Sequence, residues 1–228
     1  DYIELDVQQS SDDSLMVIHD ATVDGTTNGT GNVNSMTYLQ LKALDAGSWF
    51  GAGFAGVEIP TLYEALSLCK GKAKVCVELK ASNIESEAVT MIQNLGMVVD
   101  VVIFSFDLAQ LQSIKSLNSN LKVCYLNNPI TIQDINDLWQ MGGEIVGSDA
   151  SGLNEILYAK NLDIEFWKWT VNASDDMLYS LSKGLDGIIT DNPQDFVGLK
   201  TLLIDYGLVA HWDFDEGSGS QLNDITGN

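Results

Sequence analysis

Short β-branched runs recur along this chain with helix-like stretches between them, and that rhythm constrains the fold more than any other feature. A strand that reaches its neighbour only through a helix must pair with it in parallel, and the helices then cover the sheet. Strands are predicted at 2–7, 15–18, 74–79, 101–106, 122–126, 144–147, 164–171 and 187–190. Helices are predicted at 35–44, 62–68, 84–95, 108–117, 132–141, 153–160 and 174–183. Such a series closes into a barrel or stays open as a doubly wound sheet. No G-x-G-x-x-G or P-loop follows the first strand, which weakens the nucleotide-binding open sheet.

The charge balance narrows the partners. There are 32 acidic residues against 11 basic ones, every basic one is Lys, and the net charge is −21. Such a chain repels nucleic-acid phosphates and anionic membrane surfaces. A solvated acidic surface suited to salty surroundings explains it; a calcium-loaded surface has no loop repeat to support it. No apolar run is long enough for a membrane-spanning helix. Asp1-Tyr2-Ile3-Glu4 lacks the basic start of a signal peptide and opens inside a strand, so it reads as the continuation of a longer chain. Cys69, Cys76 and Cys124 have no CxxC spacing, which disfavours zinc and a disulfide framework.

Two stretches break the rhythm. Residues 20–60 are rich in Gly, Thr and Asn and then aromatic at Trp49-Phe50, which reads as a functional insertion. After about residue 205, the run His211-Trp212-Asp213-Phe214-Asp215-Glu216-Gly217-Ser218-Gly219 resembles the opening strand of a laminin-G-like, concanavalin-type β-sandwich; a polar tail is the alternative. The expected division is a domain at 1–204 followed by a linker and first module strand at 205–228. Modules of that kind act outside the cytoplasm, so by association the protein is expected to be secreted, periplasmic or on the cell surface. The module would bring a carbohydrate or surface ligand of its own.

The chemistry-bearing residues cluster early. Glu4 and Asp6 lie two apart on a strand and share a face. Adjacent carboxylates repel one another, a cost offset by a divalent cation between them. Ser10-Ser11-Asp12-Asp13-Ser14 is a turn signal between two strands, and a hairpin centred between Asp12 and Asp13 sets Asp6 opposite His19, a general acid/base candidate. Glu78 and Lys80 repeat the two-residue spacing at the C-terminal end of the next barrel strand, where barrel enzymes keep their chemistry. Glu78 can complete a three-carboxylate site for Mg²⁺ or Ca²⁺, and Lys80 offers a point charge to a phosphate. An ordinary surface Glu–Lys pair would look the same. Trp167 and Trp169 alternate on a late strand, as core or as the wall of a pocket.

Taken in order, Ile3-Glu4-Leu5-Asp6-Val7, Val17-Ile18-His19-Asp20, Thr26-Thr27-Asn28-Gly29-Thr30-Gly31, Leu44-Asp45-Ala46-Gly47-Ser48-Trp49-Phe50, Ile59-Pro60-Thr61-Leu62, Val77-Glu78-Leu79-Lys80, Trp169-Thr170-Val171-Asn172 and Gly187-Ile188-Ile189-Thr190-Asp191-Asn192-Pro193 resemble the glycerophosphodiester phosphodiesterase family over roughly 1–200. The resemblance implies an α/β fold, a (β/α)8 TIM-type barrel with a small insertion after the second barrel strand. It implies metal-dependent hydrolysis of a small glycerophosphodiester to sn-glycerol 3-phosphate and an alcohol. Carried over, Glu4, Asp6 and Glu78 are ligands of a divalent cation (Mg²⁺ or Ca²⁺), His19 is an acid/base, Lys80 lies near the phosphate, and Phe106 and Trp169 wall the pocket.

Two departures stand out. The family's other catalytic histidine, in a His-Arg-Gly motif ending the first barrel strand, has no counterpart here. The barrel is therefore expected to lack its first strand and helix, and the chain alone to be inactive. An Arg that often precedes Thr-Thr-Asn-Gly is replaced by Asp24-Gly25. The remaining alternatives are a related barrel phosphodiesterase acting on phospholipid head groups, and a non-catalytic binding scaffold.

Overall fold

A computed structural model of the protein describes residues 2–150 and 152–206. The segment 207–228, on which the laminin-G-like reading rests, lies outside the described residues. The strands are β1 (Tyr2–Gln9), β2 (Leu15–Val17), β3 (Lys74–Leu79), β4 (Val101–Ser105), β5 (Lys122–Leu126), β6 (Ile145–Ser148), β7 (Glu165–Lys168) and β8 (Gly187–Ile188). The helices are α1 (Tyr38–Lys42), α2 (Leu62–Cys69), α3 (Glu85–Leu95), α4 (Leu108–Leu117), α5 (Ile132–Gln140), α6 (Leu153–Asn161), α7 (Ser174–Ser182) and α8 (Pro193–Tyr206).

One sheet runs in the order β2-β1-β3-β4-β5-β6-β7-β8. Only β2 is antiparallel, folded back on β1 as a hairpin; the other seven strands are parallel, as the βα rhythm requires. The sheet curls enough to bring Tyr2 of β1 against Trp167 of β7, ring centroids 5.4 Å apart. Among the described residues no pairing joins β8 back to β1. Between them lies a cleft of about 610 Å³, lined by Ile3 and Glu4 on one side and Leu185, Ile189 and Phe196 on the other.

Strand alternation divides the core in two. Leu5, Val7, Val75, Val77 and Leu79 point outward and pack under α2 and α3 with Leu62, Leu66, Val89 and Ile92. Cys76, Val102, Phe104, Cys124, Leu126, Ile145 and Trp167 point inward and fill the barrel. All five residues of β4 are buried, the continuous apolar strand of a sheet covered on both faces. Gly187 admits the Trp167 ring: a Cβ there would lie 2.7 Å from the indole. Thr61/Glu64 and Thr131/Asp134 form capping boxes that start α2 and α5.

The structure departs from the predicted elements chiefly in five places. The helix expected at 35–44 is a 3-10 turn at Val33–Ser35 and then α1, because Thr37 caps a fresh start on Gln40. Strand 101–106 ends at Ser105, so Phe106 leaves the sheet, and strand 164–171 is regular only over Glu165–Lys168. Strand 187–190 is cut to Gly187–Ile188. An unforeseen helix, α8, begins at Pro193, whose fixed φ and missing N–H suit a first turn.

Candidate active site

The site forms where β1 and β3 run side by side. Their parallel register sets Asp6 opposite Glu78 and Glu4 opposite Cys76. One carboxylate oxygen each from Glu4, Asp6 and Glu78 lies within 4.8 Å of the others. Glu78 is 8 % exposed, whereas Glu4 is exposed as a whole residue but sets its carboxyl end in the cluster, where neighbouring groups shield it from water. The Lys80 ammonium stands between two of the three, 2.6 Å from Glu78 Oε1 and 3.2 Å from Asp6 Oδ1.

The electrostatics follow from this crowding. Burial, then the charges of Asp6 and Glu78, push the Glu4 carboxyl from 4.5 to about 7, against a downward pull from Lys80 and His19. Burial also raises Glu78, more than its bond to Lys80 lowers it. Burial pulls Lys80 down, but the hydrogen bond and charge of Glu78, followed by Asp6, leave it raised. Three carboxylates facing one ammonium leave a formal excess of two negative charges. Hard oxygen donors with that charge fit a divalent cation of the Mg²⁺ or Ca²⁺ type and offer nothing to a soft metal.

A pH prediction arises here. Glu4 and Glu78 hold protons more tightly in the folded chain than when unfolded. With a chelator present, stability therefore falls as pH rises from about 4.5 to about 7, the window set by Glu4. Glu4→Gln should flatten that part of a urea-midpoint-against-pH curve; an unaltered slope would show that Glu4 ionises freely.

His19 reaches the site differently from the hairpin expectation. Val7 pairs with Val17 and Gln8 with Met16, so Asp6 stands opposite Ile18, whose N–H donates to the Asp6 carbonyl. The register is one residue off the predicted one. The loop has three residues, Ser11 to Asp13, with Asp13 left-handed at φ 66° and the Ser10 N–H bonded to the Ser14 carbonyl. His19 follows the strand's end at the rim, where its charge still lowers both Glu4 and Glu78. Its Nδ1 lies 2.8 Å from Asp20 Oδ1. A carboxylate only accepts, so Nδ1 carries the proton and Nε2 is left for proton exchange.

The aromatic pair also lies at the rim. Phe106, exposed just past β4, meets Trp169, half-buried past β7, at 5.8 Å and 77°. The Lys80 ammonium is 6.0 Å from the Phe106 ring centre, which links this wall to the carboxylates. Sequence reasoning passed over Asp20 as the partner that orients His19, although its adjacency was the available signal. It also passed over Asn172, which accepts from Thr190 Oγ1 and the Asp191 N–H and donates to Asp191, tying the loops after β7 and β8 together.

Comparison with known proteins agrees with this geometry. Residues 1–195 match the Glycerophosphoryl diester phosphodiesterase family. A glycerophosphodiester phosphodiesterase of Caldanaerobacter subterraneus subsp. tengcongensis is 35% identical over 214 residues, covering 87% of this chain and 85% of that protein. One from Bacillus subtilis is 30% identical over 224 residues, covering 88% of this chain and 76% of that one. The crystal structure of a glycerophosphodiester phosphodiesterase from Agrobacterium tumefaciens superposes with a TM-score of 0.76 at 29% identity, covering 87% of each chain. An Oleispira antarctica phosphodiesterase, solved in complex with the product sn-glycerol-3-phosphate, shares the fold at a TM-score of 0.80 and 24% identity, over 88% of this chain and 85% of that one. The (β/α)-barrel architecture and the match over nearly the whole described chain lead to one conclusion: the chain belongs to the glycerophosphoryl diester phosphodiesterase family.

Proposed function

We propose that this chain carries most of the active site that hydrolyses a glycerophosphodiester to sn-glycerol 3-phosphate and an alcohol. The observation behind it is the convergence of Glu4, Asp6, Glu78, Lys80 and His19 with its partner Asp20 at one end of one parallel sheet. Glu4, Asp6 and Glu78 would hold Mg²⁺ or Ca²⁺. Bound there, such a cation polarises phosphoryl oxygens and lowers the pKa of a nearby hydroxyl or water.

The chain's own groups supply the rest. Lys80, partly open to solvent, places a positive charge beside the phosphate. His19, oriented through Nδ1 by Asp20, moves a proton at Nε2, either from the attacking oxygen or to the departing alkoxide. Phe106 and Trp169 present apolar faces to the carbon skeleton of the substrate. Acid and base work on opposite sides of the phosphorus needs a second imidazole. An upstream parallel strand ending in a His-Arg-Gly motif would supply it, and the cleft between β8 and β1, lined in part by Glu4, supports that reading.

The test is turnover of glycerophosphocholine by the chain, alone and with the parent's upstream strand and helix restored, with and without EDTA. Restored, chelator-sensitive release of sn-glycerol 3-phosphate supports the reading. A restored domain that stays inactive with both cations, or full activity in EDTA, overturns it. The position outside the cytoplasm, and a carbohydrate or surface ligand, rest on the module-like segment 205–228; retention of the parent protein inside the cell would refute the first.

A further inference from the structure

The insertion carries a feature the proposed chemistry does not use. Trp49, Phe50, Phe54 and Val57 are 57, 70, 51 and 50% exposed within one short loop, 46–57. Their rings form a continuous patch, Trp49 on Phe50 at 5.7 Å and Phe50 on Phe54 at 5.2 Å. Single exposed apolar residues are ordinary, but three contiguous aromatic rings mark an interaction surface.

The patch is held rigid. The loop closes on itself through the Ala46 N–H and the Val57 carbonyl, 2.7 Å apart, the pattern of an Ω-loop. Trp49 Nε1 donates to the Ala46 carbonyl at 2.9 Å, which anchors the indole to the loop's base. Gly47 lets the two arms touch: a Cβ there would lie 1.9 Å from the Phe54 carbonyl oxygen. Asp45 anchors the base, accepting from the Ser48 hydroxyl and from the Gly47 and Ser48 N–H groups, bonds that hold its carboxyl far below the ordinary range. The patch is also separate from the β1–β8 cleft, since none of its residues lines that opening.

Charge decides what it fits. In a chain with 43 charged side chains (32 acidic plus 11 basic), residues 46–57 contain none. Of the acids that flank the loop, Asp45 is spent inside it and Glu58 is paired with Lys42 at 2.9 Å, so a basic protein partner finds no unpaired acid here. The net charge of −21 repels anionic lipid. A rigid, uncharged Trp–Phe surface is what inserts at the head-group level of a neutral bilayer.

We infer that the loop 46–57 docks the protein on a zwitterionic phospholipid surface. This choice rests in part on the proposed activity, because glycerophosphodiesters arise when acyl chains are stripped from phospholipids, a reaction that takes place at such surfaces. Docking there would place the enzyme where its substrate is released.

The test is co-sedimentation of the chain with sucrose-loaded phosphatidylcholine vesicles. The chain should pellet with vesicles and not without them, equally at about 0.01 and about 0.15 M salt, and less well as phosphatidylglycerol replaces phosphatidylcholine. A Trp49→Ser, Phe50→Ser double variant should bind about 30-fold more weakly, having lost the burial of two aromatic rings. Leu68→Ser, at an exposed site in the last turn of α2 outside the loop, should bind as the unaltered chain does. A chain that stays in solution with phosphatidylcholine overturns the inference, as does a double variant that pellets unchanged. So does a parent dimer that the double variant loses on gel filtration, which would make the patch a protein interface. Vesicle binding needs no turnover, so a chain that pellets while the restored domain stays inactive refutes only the catalytic reading.

Discussion

Glu78→Gln should lower glycerophosphodiester turnover, in the restored form proposed above, by about a thousandfold, the several kcal/mol that a bound cation contributes to a phosphoryl transition state. The same variant has a readout that needs no turnover. A cation at about 100 times its Kd stabilises the fold by about 2.7 kcal/mol, which raises Tm by about 5–10 °C in a domain of this size. Glu78 is the buried member of the three carboxylates, so without its charge the shift should largely vanish. Near-normal turnover together with an intact cation-dependent Tm would remove Glu78 from the ligand set. Loss of turnover with an intact shift would leave the cation in place and give Glu78 another task.

The second large effect lies deeper in the barrel. Phe104 is 1% exposed and packs edge-on to Trp167 at 5.9 Å in the inward layer, in register with Glu78 on the neighbouring strand. Phe104→Ala should cost about 3–5 kcal/mol, the range for deleting a fully buried aromatic ring. Against a total stability of about 5–15 kcal/mol, much of the population would then be unfolded at moderate temperature. Val99, 81% exposed, provides the contrast, and its replacement by Ser should change stability by less than about 0.5 kcal/mol. Urea midpoints separate the two. A Phe104→Ala cost below about 1 kcal/mol would mean that the inward layer is not close-packed.

The legible parts of this chain were those written in periodicity. The alternation of Val75, Val77 and Leu79 with Cys76 and Glu78 assigns the two faces of β3 correctly, and with them the convergence of Glu78 on Glu4 and Asp6. Turn geometry was less legible. Ser10-Ser11-Asp12-Asp13-Ser14 contains no Asn-Gly or Gly to select a two-residue loop, which needs two positive-φ positions or a glycine. One Asp in the left-handed region is tolerated, and the chain takes the three-residue loop that moves the pairing by one. His19 nonetheless comes near the carboxylates, because it sits beyond the strand, where register no longer dictates side-chain direction. Loop-borne partners such as Asn172 with Asp191, and Lys80 between Asp6 and Glu78, depend on distances across elements that no local pattern encodes.

The seam between β8 and β1 bears on how the molecule behaves in bulk. Strand edges without a neighbour are templates for other chains, and among the described residues Ile3, half exposed, sits on such an edge. A charge of −21 keeps separate copies apart at long range. Salt shrinks that repulsion to a few ångströms while leaving edge pairing and apolar contact intact. Clear solutions in dilute buffer should therefore turn turbid as sodium chloride approaches about 1 M, the condition at which the Debye length falls to about 3 Å. Light scattering that stays flat across that range would mean the seam is sealed against other copies. The acidic surface, in these terms, is a colloidal stabiliser whose protection fails at high ionic strength.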